Sequence, residues 1–195
     1  MAKLMIGRSW QLVSHKTEPV YEGRTPIVLK KGAFGSGEHE TTASCLEILE
    51  TLPLHNCRVL DFGSGTGILA ICSILRGASR AVCIDIEPLA TETSSINAAE
   101  NGMTDRTDHL CCGLEEVVEE GFDLVLGNIF GDILIKYAPL LAKKTNAGGL
   151  MLLSGILYEY NYDVRQCFER LGFSVLKNRL LEDYSTLLLK KDQAS

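Results

Sequence analysis

From residue 58 onward, short apolar runs alternate with stretches whose apolar positions recur at helical spacing. "RVLDF" (58–62), "AVCIDI" (81–86) and "FDLVLGNI" (122–129) are nearly continuous apolar runs, the pattern of strands buried on both faces. "DHLCC" (108–112) is a shorter run of that kind and "LMLLSGI" (150–156) a fifth strand. Between them, "TGILAICSILRGA" (66–78) reads as a helix closed by Gly77. "PLATETSSINAAENG" (88–102) reads as a helix with Pro88 in its first turn and Gly102 past its end. "DILIKYAPLLAKKT" (132–145) is a third helix, kinked or shortened by Pro139. "NAGG" (146–149) reads as a turn and "YNYDVRQCFERLG" (160–172) as a fourth helix. "FSVLKNRLL" (173–181) and "YSTLLLKK" (184–191) are two more strands, joined by a polar turn around Glu182 and Asp183.

Strands alternating with helices imply a parallel sheet covered on both faces. The last two strands leave no room for a crossover helix, so one of them runs antiparallel. The expected fold is α/β: a seven-stranded, mostly parallel sheet with one antiparallel strand and helices on both faces. Ligands in such sheets bind beyond the carboxyl ends of the strands, where strand order reverses. We expect a short lead-in segment over residues 1–30 and one domain over 31–195.

Composition narrows the classes. The chain has 195 residues, 46% of them apolar, enough for a full core. No stretch approaches the ~20 uninterrupted apolar residues of a membrane span, and the N-terminus has no signal-peptide pattern. Net charge is 19 − 25 = −6, which disfavours a nucleic-acid backbone as direct partner. Seven cysteines are present with no C-x-x-C pair. They read as reduced core thiols of a cytoplasmic protein rather than metal ligands.

"DFGSGTG" (61–67) ends the first of these strands. Glycines at 63, 65 and 67 let the backbone turn tightly and approach a ligand closely. In the dinucleotide fingerprint the third glycine comes one residue later. Asp61 before the turn would repel a pyrophosphate but suits a ligand ammonium group. Asp85 ends the next strand, 85 − 67 = 18 residues after the last glycine, where an acid grips ribose hydroxyls. Gly63, Gly65, Asp61, Asp85 and the neighbouring Ile86 are therefore candidate ligand-holding residues, and the set fits S-adenosylmethionine. The alternatives are a plain strand-to-helix turn with surface carboxylates, and a dinucleotide-dependent oxidoreductase.

Asn128 ends the apolar strand "FDLVLGN". That strand is expected beside the first one, which would put Asn128 next to the ligand and make it the candidate catalytic residue. Its amide oxygen can accept a hydrogen bond from a substrate N–H and so aim a nitrogen lone pair. It equally suits a helix cap or turn, and Ile129 or its carbonyl could serve instead.

The stretch "KGAFGSGEHETT" (31–42) precedes the glycine turn by one helix. Its motif F-G-x-G-x-H-x-T-T resembles that of the PrmA family, enzymes that methylate amino groups of large-subunit ribosomal protein eleven. The likeness continues through "VLDFGSGTGILAI", "DIEPLA" with "NAAENG", "NIFGDILIKYAPLLA", "LSGIL" and the early "GRSW". It is collinear over about 185 of the 195 residues. The resemblance implies a Rossmann-like methyltransferase fold with S-adenosylmethionine as cofactor and S-adenosylhomocysteine as product. It implies that Phe34 packs on the cofactor, that Thr41 or Thr42 hydrogen-bonds to it, and that Gly35 and Gly37 act as hinges. Thr41 and Thr42 also suit a helix N-cap, and His39 suits a structural or a chemical role.

Three departures from the family pattern stand out. The family's Asp-Pro-Gly before the loop is Lys30-Lys31-Gly32, and its usual tryptophan near the last strand is Tyr184. Family members carry an N-terminal substrate-recognition domain, whereas about thirty residues precede the loop here. The expected activity is N-methylation of a protein amino group, with a ribosomal protein as one acceptor. A small-molecule amine, or a non-catalytic role as partner subunit, are the alternatives. An oligomer or a separate recognition subunit is compatible with the sequence.

Overall fold

A computed structural model of the chain describes residues 5–30 and 39–193. Three short strands come first: β1 (Met5–Ile6), β2 (Trp10–Val13) and β3 (Thr25–Val28). Helix α1 (Glu40–Leu49) follows. The alternation then begins with β4 (Arg58–Phe62), α2 (Ile68–Leu75), β5 (Arg80–Asp85), α3 (Pro88–Glu100), β6 (Thr107–Cys111) and β7 (Phe122–Asn128). It ends with α4 (Gly131–Lys144), β8 (Thr145–Leu157), α5 (Asn161–Arg170), β9 (Phe173–Leu180) and β10 (Tyr184–Lys191).

The large sheet has seven strands in the order β6-β5-β4-β7-β8-β10-β9. Strands β4 to β8 pair in parallel, and β10 pairs antiparallel with both β8 and β9. This is the predicted architecture, with β10 as the antiparallel strand. The chain moves outward from β4 through β5 to β6, then returns to β7 on the other side of β4. The carboxyl ends of β4 and β7 thus flank the point where strand order reverses.

Why the strands read as continuous apolar runs is plain from their packing. Successive side chains point to opposite faces. Val59, Ala81, Cys83, Leu124, Leu126 and Leu152 face one core, shared with α1, α2 and Ala98 of α3. Leu60, Val82, Ile84, Val125, Met151 and Leu153 face the other, shared with α4 and α5. Both faces are buried, so both parities are apolar.

Three details depart from expectation. Residues 5–30 form a small sheet of their own, with β1 antiparallel and β3 parallel to β2. Its Ile6, Trp10 and Ile27 are buried in the same core as Leu46 and Leu49 of α1. Helix α4 is not shortened: it runs fourteen residues through Pro139. Proline removes one backbone donor, and Leu134, Ala138, Leu141 and Ala142 bury the helix face around it. "NAGG" is not a separate turn but the irregular start of β8, with Gly148 at φ +74° and a register shift opposite Phe122 and Leu124. Glycine's left-handed freedom lets the strand absorb the kink.

All seven cysteines are free thiols, and burial pushes that of Cys45 up to about 12. Among the described residues, no helix is long and apolar enough to cross a membrane. No group of three or more His, Cys, Asp or Glu among them could hold a metal ion.

Candidate functional site

The glycine turn closes directly onto the sheet. Gly63 and Ser64 donate their N–H groups to the Ile84 carbonyl of β5, at 2.9 and 3.0 Å. Gly63, Gly65 and Gly67 all have positive φ, of 72°, 54° and 76°. A side chain at Gly63 would also collide with Ile129, its Cβ falling 2.5 Å from the Ile129 Cγ2. Backbone conformation and close approach therefore both require glycine there.

Asp61 is 1% exposed. Its Oδ2 accepts the Ala70 N–H of α2 at 3.3 Å. A carboxylate at a helix N-terminus is favoured by the helix dipole. Burial nevertheless dominates and pushes the Asp61 carboxyl up to about 7; the Ala70 bond lowers it and the Asp85 charge raises it further. Asp61 is thus a buried acid with no basic partner among the described residues, suited to a cationic ligand.

Asp85, at the end of the neighbouring strand, fixes the turn from the side. Its Oδ2 accepts the Gly65 N–H at 2.9 Å and its Oδ1 accepts the Glu87 N–H at 3.0 Å. Each carboxylate oxygen has a second lone pair left for ligand hydroxyls. Ile86 beside it is 71% exposed, an apolar side chain on the open rim.

Asn128 pairs in register with Ser154 at the end of β7, one strand over from Asp61. Its Nδ2 donates to the Thr42 Oγ1 at 3.2 Å. Its Oδ1 is buried and has no hydrogen-bond partner among the described residues. An unpaired buried acceptor costs about 1–3 kcal/mol, and Oδ1 is free to accept from an incoming donor. The turn after it is held by β8: Ile129 N–H bonds the Ser154 carbonyl at 3.0 Å, and Gly155 (φ +75°) lies against the Ile129 backbone.

Helix α1 brings the threonines to this place. His39, not a threonine, is its N-cap: Nδ1 accepts from the Thr41 N–H at 3.3 Å and contacts the Thr41 hydroxyl at 2.8 Å. The imidazole ring meets Tyr184 edge-on at 5.2 Å between centroids. Thr41 and Thr42 are both fully buried, the first on His39 and the second on Asn128. Phe34, Gly35 and Gly37 lie outside the described residues.

The structure therefore brings Asp61, Asp85, Gly63, Gly65 and Asn128 to the carboxyl ends of three adjacent strands, with Thr42 closing on Asn128 from α1. Sequence reasoning missed the Thr42–Asn128 bond, which joins residues 86 apart in the chain. It also missed Gly155, although an isolated glycine inside a strand signals close backbone approach.

The family model described as ribosomal protein L11 methyltransferase (PrmA) matches residues 2–192. A ribosomal protein L11 methyltransferase of Pelobacter propionicus is 40% identical over 172 residues, covering 85% of this chain and 55% of that protein. One of Yersinia pseudotuberculosis is 38% identical over 168 residues, covering 86% and 55%. The chain spans about half the length of the curated relatives it matches. A crystal structure described as ribosomal protein L11 methylase, from Lactobacillus delbrueckii subsp. bulgaricus, is similar with a TM-score of 0.89 at 26% identity. The match covers 98% of this chain and 99% of that one. An RNA methyltransferase of Salinibacter ruber, solved with S-adenosyl-L-homocysteine, shares the fold at 18% identity and a TM-score of 0.60. With the family model matching residues 2–192 and relatives about 40% identical over most of the chain, the chain belongs to the ribosomal protein L11 methyltransferase (PrmA) family.

Proposed function

We propose that this chain transfers a methyl group from S-adenosylmethionine to an amino group of a protein, leaving S-adenosylhomocysteine. The observation that carries the reading is the buried Asn128 Oδ1 with no partner among the described residues, at the strand end beside the glycine turn. The residues present fit the cofactor. Asp61 is a buried acid suited to an ammonium group, Asp85 keeps lone pairs for ribose hydroxyls, and Gly63, Gly65 and Gly67 give the backbone its tight positive-φ turn between them. Ile86, Thr41 and Thr42 complete the set on this reading, with Phe34 and Gly35 contributed from outside the described residues.

When bound, the cofactor supplies an electrophilic sulfonium methyl group, so the protein's task is mainly to position the acceptor. The acceptor amine must be neutral to attack, whereas an exposed lysine has a pKa near ~10.4. A dry site at the sheet's end lowers that value by desolvation. Asn128 Oδ1 then accepts one N–H of the amine and leaves its lone pair directed at the methyl. No side chain of this set is a strong base placed for the amine, so the released proton leaves through water. The relatives are named for a ribosomal protein acceptor, which supports the same acceptor class here.

The test is to incubate the chain with S-adenosylmethionine and purified large-subunit ribosomal protein, then read intact masses. Methyl increments on the protein, lost in Asn128→Ala, are expected. Methylation of a small amine without the protein would overturn the acceptor class. No transfer by a folded chain to any amine would overturn the activity.

A further inference from the structure

Two side-chain amides, one on α3 and one at its C-cap, hold the chain at the end of β3. Asn97 and Asn101 are four residues apart, hence on one face of the helix. Asn101 donates from Nδ2 to the Val28 carbonyl at 2.8 Å and accepts the Val28 N–H on Oδ1 at 3.1 Å. Asn97 accepts the Lys30 N–H on Oδ1 at 2.8 Å, and its Nδ2 lies 3.5 Å from the Lys30 carbonyl. Residues 28 and 30 are those that one strand edge presents to a neighbour, so the two amides take the place of a pairing strand beside β3. A salt bridge from Lys30 to Glu100 at 3.2 Å ties the same segment to the same helix.

Asn97 has a second contact that Asn101 lacks. Its Nδ2 donates to the Thr66 carbonyl at 3.0 Å, inside the glycine turn. Asn97 is fully buried, where an amide is stable only if its donors and acceptor are used. Its bonds to Lys30 and Thr66 span segments 36 residues apart in sequence and leave its own helix.

We infer that Asn97 is a positioning residue that couples the glycine turn to the backbone at Lys30, so that ordering either segment orders the other. The inference rests on the reading that the glycine turn holds S-adenosylmethionine. It gives the turn an anchor on the α3 side at Thr66, opposite the one Asp85 provides at Gly65. Asn101 serves as an internal control, because its side chain holds Val28 and the Asn97 carbonyl, at 2.8 Å each, without touching the turn.

The experiment combines calorimetric titration of S-adenosylmethionine with residue-resolved amide exchange on the full chain. In Asn97→Ala, exchange rises at Lys30 and also at Gly67, whose N–H bonds Ser64 within the turn, and affinity falls roughly tenfold. Asn97→Asp keeps an acceptor for Lys30 but loses the donor to Thr66. It leaves Lys30 protected, loosens Gly67 and still weakens binding, and it serves where the alanine variant does not fold. Asn101→Ala raises exchange at Val28 alone and keeps affinity within about twofold. A folded Asn97→Asp with wild-type affinity and wild-type Gly67 exchange would overturn the coupling. Absence of binding by the folded wild type would instead overturn the cofactor reading, and the exchange comparison, which needs no ligand, still decides the coupling.

Discussion

Asn128 reaches from the end of β7 to the first turn of α1, where its Nδ2 donates to the Thr42 Oγ1 at 3.2 Å. The amide nitrogen faces Thr42, and the oxygen has no hydrogen-bond partner among the described residues. Thr42→Val removes the acceptor while keeping the shape. We expect kcat to fall roughly tenfold, a larger loss than that in cofactor affinity. Asn128→Ala should cost about 10²-fold or more in kcat, the range seen when one orienting hydrogen bond is lost. Unchanged kcat in Thr42→Val would show that the threonine does not orient the amide.

Asp61 gives the protein a pH dependence whose sign is set by burial. Its folded pKa is raised to about 7, from an unfolded value near ~3.9. The folded state therefore holds the proton to higher pH than the unfolded chain does. The stability is fully present below about pH 4 and is lost as pH rises through 7, by up to about 4 kcal/mol. Asp61→Asn should flatten that slope and raise the melting temperature at pH 8, measured by thermal denaturation across pH.

The same group predicts ligand linkage. An ammonium group favours the ionised Asp61, whose population rises roughly eightfold between pH 6 and pH 7.5. Affinity for S-adenosylmethionine should rise by about that factor over the interval, and the rise should vanish in Asp61→Asn. A wild-type affinity independent of pH would place the ammonium elsewhere.

Much of this arrangement is legible in the chain. The run from Arg58 to Lys191 announces itself because strands buried on both faces carry unbroken apolar runs, and helices carry Pro88 and Gly102 at their ends. The carboxylates at 61 and 85 and the amide at 128 come at strand ends, so their convergence follows from strand order. The lead-in sheet does not announce itself: β1 has two residues and β3 begins "TPIV", too short for any period to emerge. Pro139 misled because tertiary packing of α4 outweighs one lost backbone bond. The Thr42–Asn128 and Asn97–Thr66 bonds are contacts between distant segments, which no local pattern encodes.

Gly155 offers a packing test of the same site. At φ +75°, with an added Cβ falling 2.8 Å from the Ile129 carbonyl oxygen, Gly155→Ala forces the turn after Asn128 to move. We expect a loss of at least ~1–3 kcal/mol in stability and a larger fall in kcat than in cofactor affinity. Denaturant unfolding and steady-state rates measure both.

Trp10 tests whether residues 5–30 belong to the same cooperative unit. It is 1% exposed and buried in the core that α1 and α2 share. Trp10→Ala should destabilise the whole chain by about 3–5 kcal/mol in a single transition. An early separate transition for the N-terminal sheet, with the rest unaffected, would show that the segment folds apart.

On the proposed function, the glycine turn between β4 and α2 holds S-adenosylmethionine. Calorimetric titration of that compound into wild type and Asp85→Ala tests it most directly, because Asp85 both fixes Gly65 and keeps lone pairs for the ribose. Saturable binding by wild type, weakened at least roughly tenfold in the variant, is expected. A folded wild-type chain that gives no binding heat, or a variant that binds as tightly as wild type, would contradict it.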